Sequence, residues 1–201
     1  KLKLSVLDYC VKRCKKSKIN NIILCTSINK NDNIFEKYSE RTKINLFRGS
    51  KNNVLKRYID CAEKYNISDI VRITGDCPIV DKNMINNLLN IYKKNNYDYV
   101  SNITPPTFPD GLDVEIIKLS LLKQSFAENK SNENKEHVTM HIRKNDKYKK
   151  YNLSYYKKNL SRIKWSVDTE IDLKLIREIV TTFHSKIHFD WKDIYKLKKF
   201  N

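Results

Sequence analysis

Two aspartates stand where short apolar runs end in turn-forming residues, which is where open α/β sheets bind their ligands. Asp76 belongs to TGDCPIV (74–80) and follows the β-branched, apolar run 69–73. Asp168 follows IKWSV (163–167) and precedes a capping-box-like helix start at Thr169 and Asp172. If the two strand ends converge on one crevice, the carboxylates suit Mg²⁺. This hard cation takes one or two carboxylates and leaves its other positions to water and substrate phosphates. The alternative makes Asp76 the cap of the next helix and Asp168 a turn residue, and spacing alone leaves both readings open.

Other chemistries find less support. His137 and His141 are four residues apart, as are His184 and His188, but there is no H-E-x-x-H and no cysteine near either pair. They read as surface or structural histidines rather than zinc ligands. Cys77, beside Pro78, reads as a small buried residue rather than a nucleophile. With three glycines in the chain, neither G-x-x-x-x-G-K-[ST] nor G-x-G-x-x-G occurs, so phosphate loops of those types are excluded.

The elements that must position these residues alternate along the chain. Residues 4–14 carry apolar side chains at helical spacing and 19–27 read as a buried strand. Residues 44–47 predict a strand, 54–65 a helix, 69–73 a strand, 84–92 a helix and 97–100 a strand. Such alternation predicts a parallel sheet covered by helices. TPPTFPDG (104–111) then interrupts as a loop. Beyond it the pattern predicts a strand at 112–117, helices at 119–128 and 135–145, an edge strand at 151–155, sheet again at 163–167 and a helix from Thr169.

At 201 residues the chain predicts one domain, 1–201. Its formal charge of +17 raises nucleic acid, membrane surface or phosphorylated small molecules as partners. The lysines are dispersed and not interleaved with aromatics along a stripe, which argues for a solvated surface and against a nucleic-acid-binding module. Five cysteines without a C-x-x-C pair indicate neither a disulfide framework nor a zinc ribbon, so a reducing cytoplasm is expected. No apolar run approaches the roughly 20 residues that cross a bilayer, and no signal-peptide pattern opens the sequence, so a soluble protein is expected.

Six ordered blocks carry a further signal: FRGSKNNVLKRY (47–58), VRITGDCPIVD (71–81), DYVSN (98–102), FPDGLDVEII (108–117), EHVTMHIR (136–143) and IKWSVDTEIDL (163–173). Together they resemble the cytidylyltransferases of the spore-coat polysaccharide type, relatives of the acylneuraminate and Kdo cytidylyltransferases. The resemblance implies the nucleotide-diphospho-sugar transferase fold, a Rossmann-like α/β/α sandwich with a mixed, mainly parallel sheet. It also implies a chemistry: a sugar or sugar-acid oxygen attacks the α-phosphate of CTP, releases pyrophosphate and leaves an activated nucleotide-sugar for surface glycan synthesis. Asp76 and Asp168 match the family's metal-binding acids for Mg²⁺. Arg48, Ser50, Arg72 and Gly75 fall in its nucleotide-contacting blocks. Asp110, Asp113, Glu115, Glu136, His137 and Arg143 lie in blocks that look like its acceptor pocket and dimer arm, so residues 104–155 are expected to form both and the protein to be a homodimer.

Two departures qualify these expectations. The family's first strand and its loop R-x-G-S-x-R-L-P-G-K have no counterpart, because KLKLSVLDYC resembles the helix that follows that loop. Either a segment precedes Lys1 in the natural protein, or the chain is a truncated, non-catalytic relative that binds CTP poorly and acts as a binding or scaffold subunit. Asn53 also stands where the family usually has Asp.

Overall fold

The computed structural model describes residues 4–184 and 186–201. Helix α1 (Val6–Cys14) starts at a reciprocal capping box between Ser5 and Asp8 and turns Tyr9, Cys10, Val11 and Cys14 inward. Strand β1 (Ile23–Ser27) follows, then a 3₁₀ turn, helix α2 (Ile34–Thr42), strand β2 (Asn45–Gly49) and helix α3 (Val54–Lys64). Next come β3 (Asp69–Arg72), α4 (Lys82–Asn95), β4 (Tyr99–Ser101), β5 (Glu115–Lys118) and α5 (Leu119–Glu128). The chain continues through α6 (Asn132–His137), α7 (Met140–Lys144), β6 (Lys150–Asn152), α8 (Glu170–Thr182) and α9 (Trp191–Lys196).

The larger sheet has the order β3-β5-β4-β6. β5 pairs antiparallel with both β3 and β4, while β6 runs parallel to β4. Three of its four strands therefore share one direction and β5 alone opposes them. β1 and β2 pair in parallel with Ile23 opposite Asn45. Among the described residues β1 and β3 share no ladder. Between them run two cavities of about 330 and 390 Å³ that have Ile23, Cys25, Tyr58 and Val71 in common.

The period of two along each strand sorts side chains into two cores. Val100 and Ile116 pack with α1, α4, α8 and α9 on one face, while Ile70, Tyr99 and Ile117 pack with α3, α5 and α7 on the other. Strands covered on both faces need continuous apolar runs, and β5 with its flank (Leu112, Val114, Ile116, Ile117) supplies one.

Several sequence-based expectations are corrected here. Residues 112–117 yield a strand only from Glu115, and it runs antiparallel to both its neighbours, in keeping with the mixed, mainly parallel sheet expected. The single helix expected over 135–145 is two, broken at Val138, whose φ is +57°. His137 and His141 therefore sit on different helices rather than one face. The 163–167 segment contributes one bridge, Asp110 to Lys164, rather than a strand. The FPDGLDVEII block does not reach outward as an arm: Phe108, Leu112, Val114, Glu115, Ile116 and Ile117 are buried in the chain's own core. The helix cap considered for Asp76 belongs to Asp81, whose carboxylate accepts from the Asn83 and Met84 amides at 2.7 and 3.3 Å.

Candidate active site

Three segments meet beyond the C-terminal end of β3. The 73–81 loop is fastened to the 163–168 segment where the Val167 amide donates to the Asp76 carbonyl at 3.0 Å. The proline-rich loop is stitched to the same segment by Asp110 N–H to Ile163 O at 2.9 Å and Trp165 N–H to Asp110 O at 2.8 Å. Gly111 makes that approach possible. Its φ is +97°, and a Cβ there would stand 2.7 Å from both the Ser166 nitrogen and the Trp165 carbonyl carbon. Ser166 adds a side-chain bond, its hydroxyl donating to Asp110 Oδ2 at 2.7 Å.

The crevice so formed is acidic on one wall. Burial, reinforced by the negative charges of Asp110 and Glu115, pushes the Asp113 carboxyl up to about 6; Arg72 opposes the shift and Asp76 adds to it. Glu115 is almost wholly buried, yet its charge is matched. Arg72 Nη1 pairs with Oε2, while the Tyr99 and Thr139 hydroxyls donate to Oε1 at 2.7 and 2.6 Å. This pairing follows from register, since Arg72 and Glu115 are directly opposed across β3 and β5. Burial pushes the Cys77 thiol well up, which suits the packing residue read from the sequence rather than a nucleophile.

Asp168 occupies the exposed rim. Lys164 Nζ bridges it to Asp172, at 2.7 Å to each carboxylate. Asp172 also accepts the amides of Asp168 and Thr169, which fixes the start of α8. Bonds from Lys164 and from these amides hold the Asp172 carboxyl well below the usual range.

The structure thus gathers Arg72, Asp76, Asp110, Asp113 and Glu115, with Gly75 beside them and Asp168 on the adjoining rim. Other candidates have local partners. Arg48 donates to the Ser27 and Asn29 carbonyls and pairs with Glu36. Ser50 accepts the Asn53 amide at 3.1 Å, and its carbonyl accepts Arg57 Nη1 at 2.9 Å, which makes it part of the α3 entry turn. Arg143 lies near Tyr99, its Nε buried without a hydrogen-bond partner. Glu136 and His137 are exposed on α6, and neither side chain bonds to a residue of the crevice. Sequence reasoning missed Lys164, Tyr99 and Thr139. Only Lys164 left a signal, standing four residues before Asp168 and eight before Asp172.

The 73–81 and 163–168 segments each carry a carboxylate, Asp76 and Asp168, and carboxylate oxygens are hard donors of the type Mg²⁺ takes. Among the described residues no group of three or more His, Cys, Asp or Glu could hold a metal ion. A cation here would draw its remaining ligands from water and phosphate, as Mg²⁺ characteristically does.

Comparison with known proteins identifies the family. The uncharacterized Methanocaldococcus jannaschii protein MJ1063 is 33% identical over 183 residues, spanning 89% of this chain and 73% of its own length. The Bacillus subtilis spore coat polysaccharide biosynthesis protein SpsF is 29% identical over 144 residues, 69% of this chain and 59% of its own length. The structure of a cytidylyltransferase from Leptospira borgpetersenii superposes with a TM-score of 0.91 at 27% identity, covering 98% of this chain and 84% of that one. The sequence pattern of the cytidylyltransferase family matches residues 4–196. The chain belongs to the cytidylyltransferase family.

Proposed function

We propose that this protein transfers the cytidylyl group of CTP to an oxygen of a sugar or sugar acid, releasing pyrophosphate, in polysaccharide biosynthesis. One observation carries the reading: the 3.0 Å bond from the Val167 amide to the Asp76 carbonyl, which joins the two acid-bearing loops in one crevice. In this reading Asp76 and Asp168 would hold Mg²⁺, which would supply charge neutralisation at the phosphates, and Asp168 would leave its pairing with Lys164 to do so. Arg72 and Gly75 face the nucleotide, joined by Arg48 and Ser50 from the end of β2. Asp110 and Asp113 line the acceptor side. A homodimer in the cytoplasm completes the proposal, with outward residues of 136–143 in the contact. Pyrophosphate release from CTP, UTP, ATP and GTP, each with Mg²⁺ and a panel of neutral sugars and sugar acids, tests it. Release that requires both CTP and one acceptor class is expected. Release with a purine nucleotide alone, or none with any pair from a form that carries the R-x-G-S-x-R-L-P-G-K loop, overturns it.

A further inference from the structure

Val138 is a fully buried, β-branched residue with φ +57° and ψ −54°, a conformation such side chains avoid. It closes a tight three-residue turn in which the Thr139 amide donates to the His137 carbonyl at 2.5 Å. Strain of this kind persists only where surrounding contacts demand it. On one side the Val138 amide ends α6 by donating to Asn134 O at 3.2 Å, and on the other Thr139 O accepts the Arg143 amide at 2.9 Å to begin α7. The turn therefore decides where Thr139 points.

Thr139 stands at the N-cap of α7, where a threonine hydroxyl ordinarily accepts an amide of its own helix. Here it makes no such bond. Its hydroxyl instead donates to Glu115 Oε1 at 2.6 Å, inside the core. Tyr99 donates to that same oxygen at 2.7 Å. Two donors on Oε1 fix the carboxylate plane and leave Oε2 to Arg72 Nη1. Among the described residues Arg72 Nε has no hydrogen-bond partner, and Glu115 anchors the guanidinium through Nη1 where it lines the 330 Å³ cavity with Thr74 and Gly75.

We infer that Thr139 is a positioning residue for Arg72, acting through Glu115, and that the strained turn at Val138 serves to aim it. The inference adds a residue to the crevice that neither helix periodicity nor exposure would select. Only its kinetic arm rests on the nucleotidyl-transfer reading, so the test needs an arm that does not.

Nitrogen NMR of arginine side chains in the folded protein supplies that arm, with the Arg72 signal assigned by Arg72→Lys. The expected result is a slowly exchanging Arg72 Nη–H resonance, held by its bond to Glu115, in the wild type. It should broaden or exchange about tenfold faster in Thr139→Val and return in Thr139→Ser, since a hydrogen bond to a charged group is lost and restored. Thr139→Ala carries the same test should the valine variant fail to fold. In kinetics, Thr139→Val should lower kcat/KM for CTP about tenfold, with Thr139→Ser within about twofold of wild type. An Arg72 signal unchanged in folded Thr139→Val or Thr139→Ala, or a serine variant as defective as either, overturns the inference. An altered signal with no CTP turnover in any form, wild type included, would leave the positioning role standing and defeat the functional reading alone.

Discussion

Asp113 carries the clearest electrostatic signature of the crevice, a carboxyl raised to about 6 by burial and by its negative neighbours Asp110 and Glu115. The folded protein binds this proton more tightly than the unfolded chain does. The group's effect on stability is therefore absent below the ordinary carboxylate range and becomes a loss as pH rises towards 6. Asp113 is only partly buried, so solvent screening limits that loss to on the order of 1–2 kcal/mol. Denaturant titrations from pH 4 to 7 should show Asp113→Asn gaining on the wild type across this interval, and an identical pH slope in both proteins would refute the environment assigned to it. Asp76 could be found in the sequence because it ends a strand-like run, whereas Asp113 is legible only through the resemblance of the FPDGLDVEII block. The Glu115 network could not, since Tyr99 and Thr139 reach it through pairing and a backbone turn that no local pattern encodes.

Helix α3 shows how an element and the site share one boundary. Asn53 occupies the N-cap and accepts the Lys56 amide at 2.9 Å, a task that Asp performs equally well. The departure from the family's usual Asp therefore leaves the helix start intact. Asn53→Asp should leave the unfolding midpoint unchanged or slightly raised, while Asn53→Ala should lower stability by about 1 kcal/mol in urea titration. Equal stability of the alanine variant would show that the turn at Ser50 holds the entry by itself. The same logic explains what could be read at this scale. α3, α4 and α8 announce themselves because each turns several apolar residues inward. α2 buries none, so periodicity has nothing to reveal there. β5 is covered on both faces, and its apolar run reads the same in either direction. The break between α6 and α7 depends on contacts distant in sequence.

At the scale of the whole molecule, the alternating pattern sufficed for a parallel sheet covered by helices, and the resemblance carried by the six ordered blocks sufficed for the family and, through it, for a mixed sheet. Of the residues expected to form an arm, Glu115, Ile116 and Ile117 are instead central to the sheet, because β5 joins β3 to β4. The proposed symmetric contact draws on the exposed surface around Glu136 and His137. Light scattering at micromolar concentration should report twice the mass of the 23.9 kDa chain, and a monomer would refute the dimer. The central claim is that Asp76 and Asp168 serve one Mg²⁺ during cytidylyl transfer. The direct measurement is pyrophosphate release from CTP as Mg²⁺ is titrated, in wild type, Asp76→Asn, Asp168→Asn and the double variant. Asparagine keeps the shape and one acceptor oxygen but lacks the charge, so folding should persist while the Mg²⁺ requirement rises steeply. Each single variant should lose most of the activity at limiting Mg²⁺, and the double should be scarcely worse, since groups that act as a unit are not additive. Wild-type turnover in either single variant at limiting Mg²⁺, or strictly multiplicative losses in the double, would contradict it.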